Sequence, residues 1–307
     1  MCPPTSSGVR TYAGNTLLDK CMGQRPSGFE MTISSKTSPI YLLAGIYGEK
    51  SDFEEFRRTL PSSIPTEIIE LQSLNEPVAQ LTDMKAIGVA LGREIDRLSP
   101  EGCIRLAGFS FGGTAVFEAA RYLIDSGRSI CFLGLIDGVI RPRAQAQSIP
   151  NHSGRARLRQ LMGNINATRH EGLTGFTYRV VRFGYRIIRE LLGRFCSSDA
   201  RLRYVRGLVD RLSPTPAASI RRMLLFHFRM KAMETWQPVP IHGPVFIAIS
   251  QEHWSWRTRW KLLCPQARFV QLPGQHVRVL EAPSVEVLCS ELTKAVLNMN
   301  YGEFLYT

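Results

Sequence analysis

The sequence predicts an α/β fold, a mostly parallel sheet interrupted by a helical insertion. Three observations carry this. Short apolar runs alternate with helix-patterned segments from residue 39 to 140. Arginine-rich helical stretches replace that rhythm over 141–240, and it resumes at 243. A Gly-x-Ser-x-Gly string, Gly108-Phe109-Ser110-Phe111-Gly112, falls between a strand-like run and a helix-like one.

The elements follow in order. Residues 1–38, rich in Pro, Gly, Ser and Thr, read as a mobile arm. PIYLLAG (39–45) is a short apolar strand, and SDFEEFRRTL (51–60) has helical spacing with an acidic start. TEIIELQS (66–73) is a strand, and one helix is expected from about Pro77 to Leu98, since proline is tolerated in a first helical turn. CIRLAG (103–108) is a strand, FGGTAVFEAARYLIDSG (111–127) a helix closed by Gly127, and SICFLGLIDG (129–138) a strand ending at Asp137. Residues 39–140 therefore form the first part of the core. Residues 141–240 form an inserted lid, with helices expected over 153–168, 174–193, 198–211 and 216–236. GPVFIAIS (243–250) and ARFVQLPG (267–274) are strands, and a helix over 284–298 closes the second part of the core, 241–300. Residues 301–307 are a tail.

Composition narrows the function classes. The 307 residues carry a net charge of +12. Ser153 to Trp236 holds 17 Lys and Arg against 5 Asp and Glu, and the rest of the chain holds 21 of each. The charge is thus local, a surface that meets anions rather than a uniformly basic chain. No nucleic-acid-binding module accompanies it, so nucleic acid is not the expected partner. Seven cysteines and six histidines show no CxxC and no metal-ligand spacing, and no GxxxxGK[ST] or GxGxxG is present. No metal and no tightly bound cofactor is expected. No run approaches a membrane span and the N-terminus lacks a signal-peptide core, so a cytoplasmic location is expected, with peripheral membrane contact a minor option.

Ser110 follows an apolar strand and precedes a helix, with glycines at 108, 112 and 113. Such a sharp turn lifts Oγ above the strand ends, and the Phe111 N–H at the helix start is placed to hold an oxyanion. His276, in the Pro-Gly-Gln-His loop after the last strand, is the best-placed base. The acid has two candidates, Asp137 in LIDG and Glu252 in AISQEH, both at strand ends. His253, flanked by aromatics, binds substrate or packs.

LAGFSFGGTAVFEAARYLIDSGRSICFLGLIDG resembles the thioesterase domains of nonribosomal peptide and polyketide synthases, over about residues 39–140 and 243–298. LPGQHVRVLEAP and WSWRTRWKLLCP are similar to the family's later segments. The resemblance implies an α/β-hydrolase fold with a helical lid, the acid role for Asp137 and the base role for His276. Where the family has a His-Pro-x-Gly-Gly turn, this chain has LLAGIYGEK. By position Ile46 then supplies the second oxyanion N–H, and Tyr47 replaces a glycine. The bulk of Tyr47, with Phe109 beside the serine, is expected to reshape the mouth of the site.

The implied function is a serine thioesterase or acyltransferase. It takes an acyl, polyketide or peptidyl chain from the phosphopantetheine arm of a carrier protein and releases it by hydrolysis, cyclisation or transfer to a small-molecule acceptor. The first 38 residues hold no carrier motif of the Gly-x-Asp-Ser-Leu kind, so the expected carrier acts in trans if the chain is a standalone protein, or lies upstream if it is the terminal domain of a synthase. Arg179, Arg182, Arg186 and Arg189 recur at three- and four-residue spacing on one predicted lid face. Either that face is solvated while the apolar side covers an acyl pocket, or it docks an acidic carrier. A carboxylester hydrolase with the same triad, and a catalytically silent module, are the competing readings.

Overall fold

The computed structural model describes residues 38–71, 75–140 and 172–298, with backbone only for 172–183 and 298. The expected arm up to residue 37, the helix expected over 153–168 and the tail at 301–307 lie outside the described residues.

Among the described residues, six strands form one sheet in the order β2-β1-β3-β4-β5-β6. They are β1 (Ile40–Leu43), β2 (Thr66–Ile69), β3 (Ile104–Phe109), β4 (Ile130–Ile136), β5 (Phe246–Ser250) and β6 (Arg268–Leu272). Every pairing is parallel. Each strand falls largely within its expected run. β2 is the most shortened, ending at Ile69 rather than Ser73.

A parallel sheet buries both faces, and the strand residues sort accordingly. Tyr41, Leu43, Leu106, Leu133, Leu135 and Ile247 join one core, with residues of α3 (Met84–Leu98) and α4 (Phe111–Asp125). Their neighbours Ile40, Leu42, Ala107, Phe132, Ile136 and Phe246 join the other, with α1 (Glu54–Thr59) and α9 (Ser284–Asn298). The period of two along each strand dictates that split.

The single helix expected over 77–98 is two, α2 (Val78–Thr82) and α3. Asp83 interrupts it in an extended conformation and caps α3, its carboxylate accepting the Lys85 N–H at 2.9 Å. Between β4 and β5 lie α5 (Gly172–Phe195), α6 (Asp199–Val209) and α7 (Pro214–Thr235). Leu202, Val205, Val209, Leu224 and Phe228 from this insertion share a separate small core with Val78 and Leu81 of α2. Asp199 Oδ1 also accepts the Val78 N–H at 2.7 Å, which ties the insertion to the start of α2. One further helix, α8 (Arg257–Leu263), was not anticipated; its buried Trp260 and Leu263 pack on the core. No helix among the described residues is long and apolar enough to cross a membrane.

The strand order positions the site. The chain runs from β1 outward to β2, then returns to place β3 on the other side of β1. The loops leaving β1 and β3 therefore diverge at their carboxyl ends, the crevice where open α/β sheets bind ligands. The register pairs Leu43 with Gly108, so residues 44–46 stand beside 109–111.

Candidate active site

Ser110 sits at the turn between β3 and α4 with φ 56 and ψ −121, an unfavourable conformation for a residue with a Cβ. Close packing holds it there. A Cβ on Gly108 would lie 2.3 Å from the Gly112 carbonyl oxygen, and one on Gly112 would lie 2.3 Å from that of Ala44. These glycines let the strand end, the helix start and the β1 loop close on one another. The Ser110 N–H donates to Ile136 O at 2.9 Å, which ties the elbow to β4.

Ser110 Oγ lies 2.8 Å from His276 Nε2, and His276 Nδ1 lies 2.7 Å from Asp137 Oδ2. The carboxylate fixes the proton on Nδ1 and leaves Nε2 free to accept the serine hydroxyl. Asp137 is fully buried and, like Ser110, has a positive φ, here 47. Its Oδ1 accepts the Ser250 N–H at 3.0 Å, and its own N–H donates to Ala248 O at 2.7 Å. Burial pushes the Asp137 carboxyl up, but the hydrogen bonds and charge of His276 and the Ser250 bonds outweigh it, leaving the group below the ordinary aspartate range.

The two acid candidates are thereby separated in position. Glu252 Oε2 accepts the backbone N–H of His276 at 2.9 Å, and so contacts the loop rather than the ring nitrogen. His253 lies closer to the centre than its sequence neighbourhood suggested. Its Nδ1 is 3.4 Å from Asp137 Oδ2, its ring stacks on Trp256 at 3.8 Å, and it lies 5.0 Å from the His276 ring. Asp137, His253 and His276 together offer donor atoms within 4.8 Å of one another. The Asp137–His276 hydrogen bond accounts for that grouping.

Phe109 stacks on His276 with ring centroids 5.2 Å apart, forming one wall beside the imidazole. Phe111 opens α4, so its N–H has no acceptor within the helix. Ile46 lies in a tight turn closed by the Gly48 N–H on Gly45 O at 2.9 Å. Tyr47 stands in the same turn. Its ring contacts Phe226 and Arg222 of the insertion, at 6.0 Å between rings and 4.5 Å from guanidinium to ring. The arginines expected on one face also divide. The side chains of Arg179 and Arg182 lie outside the described residues. Arg186 is exposed, whereas Arg189 is largely covered, lies over the Phe226 ring at 4.6 Å and pairs with Glu190. Ile187, Ile188 and Leu191 of the same helix are exposed. Three contributors escaped the sequence reading: Ser250, which acts through its backbone, and Arg222 and Arg229 on α7. The i, i+7 spacing of the arginines was the available signal.

Among curated proteins, the chain is 26% identical over 134 residues to the inactive atromentin synthetase invA6 of Paxillus involutus, covering 43% of this chain and 14% of that protein. It is 32% identical over 79 residues to the non-reducing polyketide synthase crz7 of Cladonia metacorallifera, covering 26% of this chain and 4% of that protein. The chain thus spans a small part of the length of both. Among solved structures, the NocB thioesterase domain shares the fold, with a TM-score of 0.55 at 15% identity, over 85% of this chain and 95% of that one. The family profile described as a thioesterase domain matches residues 38–296, from β1 through the elbow and the insertion to α9. On that match, with the fold it requires, the chain belongs to the thioesterase domain family.

Proposed function

We propose that the chain is a serine thioesterase or acyltransferase. It takes an acyl, polyketide or peptidyl chain from a carrier-protein phosphopantetheine thioester onto Ser110 and releases it by hydrolysis, cyclisation or transfer to an acceptor. The observation that carries this reading is the pair of contacts on one imidazole, Ser110 Oγ at Nε2 and Asp137 Oδ2 at Nδ1. His276 takes the Ser110 proton as Oγ bonds to the thioester carbonyl carbon. The Phe111 and Ile46 N–H groups hold the developing oxyanion. The carbon–sulfur bond breaks, Nε2–H returns the proton to the departing sulfur, and an acyl-serine remains. His276 then deprotonates water, a hydroxyl or an amine as it bonds to the acyl carbon, the carbon–Oγ bond breaks, and Nε2–H returns the proton to Ser110 Oγ. Asp137 holds the imidazole tautomer and stabilises the imidazolium. Arg186, exposed on α5, supports a docking face for an acidic carrier.

The test is turnover of an acyl thioester, with the acyl-serine trapped by intact mass. Ser110→Ala abolishes both. Unchanged turnover in that variant sinks the mechanism. The name of the Paxillus relative raises the silent reading, which predicts a folded protein with no acyl adduct. An adduct formed from simple esters, with no gain from a carrier, favours the carboxylester hydrolase instead.

A further inference from the structure

Arg222, Phe226 and Arg229 stand at i, i+4 and i+7 on α7, one stripe of one helical face. All three meet the loop that leaves β1. The Arg222 guanidinium lies 4.5 Å from the Tyr47 ring and pairs with Glu49 at 3.1 Å. The Phe226 ring lies 6.0 Å from that of Tyr47. Arg229 Nη1 donates to the Ile46 carbonyl and lies 3.7 Å from where a Cβ on Gly48 would stand. The same Arg229 guanidinium lies 5.7 Å from the ring of Phe111. Ile46 and Phe111 are the two residues assigned to the oxyanion hole, and this one side chain touches both.

Arg229 is only 4% exposed, and burial pushes its guanidinium down to about 10, so it remains a cation at neutral pH. Burying a cation is costly, and a well-packed apolar side chain often fills such a place at less cost. Its bond to the Ile46 carbonyl is charge-assisted, the stronger kind, and orients the 46–47 peptide. The Ile46 N–H shares its peptide plane with the Gly45 carbonyl, which accepts the Gly48 N–H at 2.9 Å, and the Arg229 bond fixes the next plane, so the two peptides that meet at the Ile46 Cα are both held. Gly45 N–H is held in turn by Asp52 Oδ2 at 3.3 Å, so the turn is pinned on both sides of Ile46.

Resting on the serine-thioesterase reading, we propose that Arg229 is a positioning residue for the oxyanion hole, and that Tyr47 is the anchor by which α7 holds the β1 loop in place. The aromatic side chain standing where the family has glycine is then a handle for the insertion helix. A displacement of α7 is passed to the Ile46 N–H through Tyr47 and Arg229, which couples the seat of the lid to oxyanion stabilisation.

The test uses the full chain and a fluorophosphonate probe, whose addition to Ser110 is followed by intact mass. Labelling needs the nucleophile and the oxyanion hole but no knowledge of the natural acyl chain. Arg229→Met and Tyr47→Ala are expected to slow maximal labelling by about tenfold to a hundredfold, with the half-saturating probe concentration little changed. Arg229→Lys restores much of the rate, because it keeps the cation and a donor. Melting curves establish that each variant is folded. If Arg229→Met does not fold, Tyr47→Ala, at a partly exposed loop position, decides alone. Wild-type labelling by folded Tyr47→Ala and Arg229→Met, or a loss confined to half-saturation, overturns the proposal. Failure of the wild-type chain to label, or labelling that survives in Ser110→Ala, overturns the underlying reading instead.

Discussion

Asp137 and His276 are 139 residues apart in the chain, yet Oδ2 of one lies 2.7 Å from Nδ1 of the other. The contact joins the end of β4 to the loop after β6, across the end of β5. Glu252, the other candidate acid, accepts the His276 backbone N–H instead. On the proposed mechanism, Asp137→Asn is expected to lower kcat by about 10⁴, the loss a serine triad shows without its carboxylate. Glu252→Gln keeps an acceptor for the backbone and costs far less. Steady-state kinetics on one thioester ranks the two, and the reverse order moves the acid role to Glu252.

The same bond has a stability consequence. The Asp137 carboxyl is held below the usual aspartate range, chiefly because His276 and Ser250 outweigh the effect of burial. A depressed folded-state pKa contributes stability that is complete above the unfolded value, about 3.9, and is lost as pH falls through the lower folded value. The Tm advantage of wild type over Asp137→Asn is thus expected to shrink as pH drops from 6 to 3. A constant gap across that range contradicts it.

His253 presents Nδ1 to Asp137 at 3.4 Å while its ring rests on Trp256. His253→Phe keeps the stack and removes the nitrogen. That nitrogen is buried without a hydrogen bond, so its removal predicts a fall in kcat of about tenfold or less. A collapse as deep as that of His276→Ala would instead make His253 a direct participant.

The elbow leaves no room for a side chain at Gly112, whose added Cβ would stand 2.3 Å from Ala44 O and 2.4 Å from Leu43 O. Both obstacles are backbone, so the strand or the helix must move. Gly112→Ala is expected to cost about 1–3 kcal/mol in denaturant unfolding, with activity lost more completely than stability. An active Gly112→Ala variant of wild-type stability would show the elbow to be more plastic than its packing implies.

The lid arginines should separate by position. Arg186→Glu, on an exposed side chain, is expected to lower kcat/KM for a carrier-bound thioester several-fold more than for a small one, with the difference fading in high salt. Arg189→Glu puts a carboxylate beside Phe226 and Glu190, and should lower Tm. Equal effects of Arg186→Glu on both substrates would remove the docking face.

The sequence by itself determined the alternation of strands and helices, the serine elbow and the histidine loop. Each is written locally: an apolar run buried on both faces, glycines where backbones touch, a turn at a strand end. The break at Asp83 carries a local N-cap, its carboxylate accepting the Lys85 N–H, but the apolar pattern runs on through it; the helix Arg257–Leu263 is short, and its Trp260 and Leu263 pack on core residues remote in the chain. Tertiary structure decided what depends on distance between remote segments. It placed Asp137 and not Glu252 at the imidazole, brought His253 to the same carboxylate, and turned Arg189 inward while Arg186 stayed out. It also set Arg229, one cation among 17 in a basic stretch, against Ile46 and Phe111. A side chain's role there follows from what the fold folds against it, and a period along the chain does not encode that.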